Sequence, residues 1–431
     1  MVERRKPIPV TEAVNRVMTH AKPKESEWVT LEACDGRVLA QEIKADHDVP
    51  PFDRSPYDGF AIKSADTWGG SKDTPITLDI IEAIGAGDVA LQELASGQAI
   101  RIMTGAQLPL GADAIIMLEL VKEQLTNGTP QIVIKREVTL GDNISRQGED
   151  TKKGTVLIEK GDVITPGVKA ILATFGYAKV EVVKQPRVGV LATGSELLDP
   201  DQALVPGKIR NSNAYMVMSQ LKKAGAIPIN LGKLADNLEL SFKAVKEALD
   251  EVDVLITTGG VSVGDFDFLP VIYERLGATV LFNKIAMRPG SVTTVASLGG
   301  KILFGLSGNP SACFVGFELY AAPYLQALQG KTKKYMQRTK ARLAADFPKA
   351  NPFTRFVRSR VEFEDGMVKA RPVGLDKSNV VTSLAWANAL TVLPGGTRGY
   401  REGDLVDLLM LDGEGSGEFD LENLSNRRVQ K

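Results

Sequence analysis

Apolar residues near the start of the chain recur at Val10, Ala13, Val14, Val17 and Met18. That spacing puts them on one helix face, with Pro9 before it and Pro23 after it. From about 46 to 143 the texture changes. Short apolar runs such as Ile76-Thr-Leu-Asp-Ile-Ile81, Ala114-Ile-Ile-Met117 and Gln131-Ile-Val-Ile134 alternate with Gly, Pro and Asp turns. This predicts a β-rich module. The strand-like run 155–158 and the helix-like stretch 167–175 return to mixed character. From 187 to about 330, predicted strands at 188–192, 227–231, 254–256 and 301–306 alternate with helices around 214–224, 238–249, after Asp267 and from Ser311. Such alternation means βαβ units and a mostly parallel sheet. The tail after Lys331 reads as a small β-barrel or sandwich, with turns at Gly395-Gly396 and Glu402-Gly403-Asp404. The polar stretch from Asp412 onwards is expected to fray.

Ligands of parallel α/β sheets bind at the carboxyl ends of the strands. Glycine-rich turns fall there at Gly194, Gly259 and Gly308. The most informative is Val252-Asp-Val-Leu-Ile-Thr-Thr-Gly-Gly-Val-Ser-Val-Gly-Asp-Phe-Asp-Phe268. Gly259, Gly260 and Gly264 let the backbone approach a ligand, and free N–H groups at such a turn attract phosphate. Asp265 and Asp267 put carboxylates beside that anion site, the usual setting for Mg²⁺. Asp236, after the second strand of this region, can face them across the cleft. A tight turn with a helix-capping Asp explains the same residues.

Four companion segments carry further chemistry. Arg54-Ser-Pro-Tyr-Asp-Gly-Phe-Ala61 contains the turn pair Asp58-Gly59, which a plain hairpin also explains. Arg101-Ile-Met-Thr-Gly-Ala106 offers Thr104 and Gly105 in a loop or bulge. Ala192-Thr-Gly-Ser-Glu-Leu197 offers close approach at Gly194 and oxygen atoms at Ser195 and Glu196, or simply a helix N-cap with an early Glu. Lys284-Ile-Ala-Met-Arg-Pro-Gly-Ser291, followed by Gly305-Leu-Ser-Gly-Asn-Pro-Ser311, sets Lys284 and Arg288 beside glycine, which suits an oxyanion or a solvated surface pair.

Composition narrows the function classes. At 431 residues, length suggests about three domains at roughly 150 residues each. A net charge of −1 supplies no field favouring nucleic acid or an anionic membrane. No apolar run approaches the ~18 residues a membrane helix needs. The charged start Met1-Val-Glu-Arg-Arg-Lys6 leads into no apolar signal core. Cys34 and Cys313, the only cysteines, lack metal-ligand spacing and read as buried reduced thiols of a cytoplasmic protein. Two histidines, His20 and His47, cannot build a multi-His metal site. Zinc chemistry and Ser-His-Asp or Cys-His catalysis are therefore not expected.

Taken together and in order, Ser-Pro-Tyr-Asp-Gly-Phe-Ala, Met-Thr-Gly-Ala, Arg146-Gln-Gly-Glu-Asp150, Ala-Thr-Gly-Ser-Glu-Leu, Thr-Gly-Gly-Val-Ser-Val-Gly-Asp, Arg-Pro-Gly and Ser-Gly-Asn-Pro-Ser resemble the MoeA-like molybdopterin molybdotransferase family, related to the gephyrin E domain. The resemblance runs from about Val10 to Leu408. It implies insertion of molybdate into adenylylated molybdopterin, giving molybdenum cofactor and AMP, with Mg²⁺. It also implies a homodimer with a shared active cleft, open to transient contact with other cofactor-synthesis proteins. The implied architecture is multidomain α/β plus β. A mixed α/β linker domain covers 1–45 and 146–185, and a β-rich domain covers 46–145. A parallel-sheet α/β molybdopterin-binding domain covers 186–330, and a C-terminal β-barrel domain covers 331–431.

By matched position, the resemblance makes Asp58, Thr104 and Glu196 the catalytic candidates. Thr193, Gly194, Gly259, Gly260, Ser262, Gly264, Lys284, Arg288, Pro289, Ser311 and Arg358 are implied for substrate binding, with Ser378 as a second oxyanion contact. Asp236, Asp265 and Asp267 are implied for the metal. The chain departs from the family pattern at four positions. Ser195 stands where many members have Asp, Ser307 where many have Pro, Arg288 where Lys is frequent and Phe353 where some have Arg. An adenylyltransferase making the adenylylated pterin and a gephyrin-like non-enzymatic scaffold are the alternative functions. The extra domains argue against the first. Asp58, Glu196 and the Asp cluster argue against the second.

Overall fold

The computed structural model describes residues 6–234, 237–260, 268–349, 352–364, 366–413, 415–419 and 421. The chain forms two compact units. The first comprises Met1–Gln41, Lys160–Lys169 and Ala178–Lys431; the second comprises Glu42–Glu159 and Ala170–Tyr177.

At the centre of the first unit lies a six-stranded sheet, ordered Ile227–Leu234, Arg187–Thr193, Val254–Thr258, Lys301–Leu306, Thr294–Leu298 and Thr279–Phe282. The first four strands run parallel, and Thr294–Leu298 runs against them, pairing antiparallel with Lys301–Leu306 on one side and Thr279–Phe282 on the other. The sheet is therefore mixed. The parallel part was legible in the sequence, whereas the antiparallel edge was not. Its strands are short and lack the long apolar run of a doubly covered strand.

Val254–Thr258 is buried along its whole length because helices cover both faces. On one face, Val254 and Ile256 pack with Ala214, Val217 and Leu221 of helix Asn213–Lys223 and with Cys313 and Val315 of helix Pro310–Gly316. On the other face, Leu255 packs with Val245 and Leu249 of helix Leu238–Glu251 and with Ile272 and Tyr273 of helix Leu269–Arg275. Asn237 caps the third of these helices, its side-chain oxygen accepting from the amides of Glu239 and Leu240 at 3.0 Å each.

The opening helix, Val10–Met18, forms at the predicted place. Nine residues are too few to hold a helix in water. It persists because Val10, Ala13, Val14 and Val17 join the apolar core beside the sheet. Each fully buried large aliphatic side chain contributes roughly 1.5–3 kcal/mol.

The tail closes into a five-stranded barrel, which resolves the barrel-or-sandwich alternative. Strand Thr354–Glu364 pairs with Met367–Pro372, followed by Arg338–Leu343, Leu405–Met410 and Ala389–Leu393, which returns to Thr354–Glu364. A short strand, Met287–Arg288, leaves the α/β region and pairs in parallel with Thr354 and Arg355 of the barrel.

The second unit is built on a six-stranded sheet ordered Ala114–Met117, Gly59–Ile62, Gln98–Ile102, Ile76–Ile84, Thr129–Ile134 and Val121–Thr126. Its two apolar clusters are centred on Phe60, Ile62 and Ile116, and on Ala61, Ile100 and Ile115. Adjacent residues alternate between the clusters, as a strand buried on both faces requires.

Candidate functional site

In the first unit, three predicted turns meet at the carboxyl ends of parallel strands and wall one cleft of about 740 Å³. Thr193 to Glu196 follow the first strand, Gly259 and Gly260 follow the central one, and Ser307 to Asn309 follow the strand Lys301–Leu306. Gly290, Ser291 and Ser378 complete the polar wall, while Leu234, Phe268, Leu269 and Ile272 form an apolar one.

Glycine is required at the central turn. Gly259 and Gly260 have φ of +93° and +68°. A Cβ on either would lie 2.7 Å or 2.8 Å from Thr193 Oγ1. The Thr193 hydroxyl donates to the carbonyl of Thr258 at 3.2 Å, and the Gly259 amide donates to Leu306 at 2.9 Å. The three strand ends are thereby tied together. Gly194 has φ of +133°, and a Cβ there would strike the Glu196 carboxylate, which folds back over it. No helix starts at Ser195, so the helix-cap explanation fails at this turn. The chain instead forms the ribbon Leu197–Leu198 with Ile209–Arg210 before its next helix at Asn213. Asn213, absent from the sequence-based candidates, donates to the Gly308 carbonyl at 2.8 Å and steadies the third turn.

The remaining binding candidates are not among the residues that line the cleft. Arg288 lies opposite Arg355 in the short parallel pairing with the barrel. This is a strand position, not the loop expected. Arg358, on the same barrel strand, is 1% exposed. Its Nε donates to Ser383 Oγ at 2.7 Å and its Nη2 to the carbonyl of Leu375 at 2.9 Å. Its Nη1 is buried with no partner. Burial works against the Arg358 charge, and nearby Asp376 works for it. Lys284 accepts a backbone bond from Ile8 at 3.1 Å, and Pro289 is buried. Ser311 is fully buried. Its amide donates to the Ser378 carbonyl at 3.0 Å and its hydroxyl to the carbonyl of Val380.

In the second unit the sequence-based pair Asp58 and Thr104 are in direct contact. The Thr104 amide and hydroxyl both donate to Asp58 Oδ1, at 2.7 Å and 2.9 Å. These two bonds, the amide's first, hold the Asp58 carboxyl below the usual aspartate range. Gly59 does not serve as a turn residue. It opens strand Gly59–Ile62, where a Cβ would lie 2.1 Å from the carbonyl oxygen of Ile116. The Arg146 motif is a local brace, with Arg146 paired to Asp53 at 2.7 Å and the Gln147 amide donating to the same carboxylate at 2.8 Å.

Ser262, Gly264, Asp236, Asp265 and Asp267 lie outside the described residues. Among the described residues, no group of three His, Cys, Asp or Glu is placed to hold a metal ion. Both cysteines are free and buried, and burial pushes the Cys313 thiol up to about 12. The wall residues that sequence reading missed include Ile209, Leu234, Ser241, Leu269, Ile272, Val292 and Ala312. Leu269 and Ile272 stand three apart on a predicted helix, the one signal that marked a shared face.

A helix-covered sheet with a glycine-walled cleft at its strand ends, followed by a closed barrel, defines a multidomain α/β protein with its ligand site at the strand ends. Residues 8–176 match the MoeA N-terminal region (domains I and II), 189–327 the probable molybdopterin binding domain and 340–411 the MoeA C-terminal region (domain IV). The chain belongs to the MoeA family. It is 58% identical over 419 residues to the molybdopterin molybdenumtransferase of Bacillus subtilis strain 168, covering 97% of each chain. It is 48% identical to the molybdopterin molybdenumtransferase of Staphylococcus aureus strain COL, covering 97% of this chain and 99% of that one. The crystal structure of a MoeA protein from Pyrococcus horikoshii OT3 superposes with a TM-score of 0.79 at 32% identity, covering 94% of this chain and all of that one.

Proposed function

We propose that the chain is a molybdopterin molybdotransferase, inserting molybdate into adenylylated molybdopterin and releasing AMP. The observation that carries this reading is the convergence of Thr193–Glu196, Gly259–Gly260 and Ser307–Asn309 on one cleft in a member of the MoeA family. Relatives that match nearly the whole chain bear the same activity in their names, which supports it.

The residues act by binding and orienting. Without Cβ atoms, Gly259 and Gly260 let the central turn close against Thr193, which brings the strand ends together as one wall for the phosphate. The polar wall of Thr193, Glu196, Ser307 and Ser378 orients the polar pterin and ribose edges, while Phe268, Leu269 and Ile272 exclude water from the flat ring. Molybdate is a tetrahedral dianion. Lys284, Arg288 and Arg358 offset its charge through their field. Ser311 holds the Ser378 segment in place. Water adds to the phosphoanhydride of the adenylylated pterin, so AMP leaves and the pterin keeps its own phosphate, while the two dithiolene sulfurs replace two molybdate oxygens, which leave as water with the thiol protons and two protons from solution.

The finer parts of the proposal rest on the resemblance. They are a homodimer in which Asp58 and Thr104 of the partner subunit complete the cleft, transient contact with other cofactor-synthesis proteins, action in the cytoplasm, and the four domains at 1–45 with 146–185, 46–145, 186–330 and 331–431. Among the described residues, no helix is long and apolar enough to cross a membrane. Mg²⁺ is assigned to Asp236, Asp265 and Asp267, where it would supply Lewis-acid stabilisation of phosphate charge.

The test is AMP release from adenylylated molybdopterin by the purified full-length chain. Release on adding molybdate is expected. ATP consumption with free molybdopterin, and no molybdate-dependent AMP, would overturn the reading in favour of an adenylyltransferase.

A further inference from the structure

The segment 374–380 carries Ser378 into the cleft wall without belonging to any helix or strand. It is held from below by side chains. Asp376 is the centre of that hold. Its carboxylate pairs with Arg355 of the barrel strand, and both side chains are about nine-tenths buried, at 11% and 10% exposure. Lys349 reaches the same carboxylate at 3.3 Å and the Asp376 carbonyl at 2.9 Å. Arg358 holds the flanking carbonyls of Leu375 and Lys377, at 2.9 Å and 3.4 Å. Ser311 holds those of Ser378 and Val380.

The charges are unequal. Two buried arginines share one carboxylate, and Arg355 Nε and Arg358 Nη1 are both left without partners. Removing the carboxylate would leave the Arg355 guanidinium desolvated without its ion partner and take away the charge that favours Arg358, which is costly. The segment would then move to let water or an anion reach them. Its geometry near Ser378 therefore depends on a residue that does not line the cleft.

We propose that Asp376 is a positioning residue of the cleft: its pairing with Arg355 holds the 374–380 segment so that Ser378 faces the substrate. The inference rests on the cleft being the substrate site. It assigns Asp376 to ground-state binding rather than to bond breaking.

Two readouts separate it from that premise. The first needs no substrate. Both native cysteines are buried, so Ser378→Cys introduces an accessible thiol into the wall. Its labelling by a maleimide is expected to be at least about fivefold faster in an Asp376→Asn background, because the buried pair no longer restrains the segment. Asp376→Glu should restore slow labelling. Lys349→Ala, which removes only the half-exposed partner, should give a smaller change in the same direction, and it covers the case in which Asp376→Asn does not fold. The second readout is kinetic. In Asp376→Asn with native Ser378, KM for adenylylated molybdopterin should rise about tenfold while kcat changes less than threefold. Unchanged labelling, or a fall in kcat at constant KM, would overturn the positioning role. Faster labelling with no AMP release by any variant or by wild type would leave the positioning standing and overturn the substrate reading.

Discussion

Thr104 places two donors on one oxygen of Asp58, its amide at 2.7 Å and its hydroxyl at 2.9 Å. The carboxylate keeps its second oxygen for a ligand. Because the folded pKa is depressed, the loop's two bonds are intact above the ordinary aspartate pKa and are lost as pH falls through the lowered value. An NMR titration should give Asp58 a midpoint below about 3.9. Thr104→Val should move it up part of the way, since the stronger amide bond survives. If Asp58 acts on substrate as proposed, Asp58→Asn should reduce AMP release by roughly 10²-fold or more, with little change in melting temperature.

Gly259→Ala should cost more than its backbone strain. The residue needs φ of +93°, and the added methyl would sit 2.7 Å from Thr193 Oγ1 and 3.0 Å from the Thr193 carbonyl oxygen. Forcing a non-glycine residue into this region costs about 1–2 kcal/mol. Gly277 has φ of +71° with open space around it, so Gly277→Ala should lose only that amount. Urea unfolding of the two variants should show Gly259→Ala to be the less stable, and its AMP release should fall as well.

Glu318 sits between two helices, where Gln220 Nε2 donates to it at 2.7 Å. Burial raises its pKa, outweighing the Gln220 bond and Lys223, while Asp412 adds to the rise. A raised carboxyl pKa means that the folded state holds the proton more tightly. This contribution to stability is present below the ordinary value near 4.5 and is lost as pH rises toward the folded value. Glu318→Gln removes the titration and offers a donor to the unpartnered Gln220 Oε1. Its stability should stay level where that of wild type falls, leaving it ahead at neutral pH by about 1 kcal/mol. Thermal melts at several pH values will decide.

Ser311→Ala should destabilise the chain by about 1 kcal/mol, because the half-buried Val380 carbonyl loses its donor. The Ser311 amide bond to Ser378 remains. The variant should therefore raise KM for the adenylylated pterin while largely keeping kcat.

Much of this molecule is local and was legible as such. The 3.6-residue period at Val10 to Met18 marks a helix whatever packs on it. The apolar run at 254–256 marks a doubly covered strand. The glycines at 194 and 259 mark strand-end turns because no other residue takes such a backbone at so little cost. The ordered motifs named the family. Tertiary structure decided the rest, through partners far apart in sequence. It showed that Asp58 belongs to Thr104 and that Gly59 answers to Ile116. It committed Ser311 to a segment nearly 70 residues away, and it paired Asp376 with Arg355. It also added two edge strands, joined by antiparallel pairing, whose short runs carry no distinctive period. A side chain's hydrogen bonds and desolvation depend on what packing brings beside it, and one-dimensional spacing does not encode that.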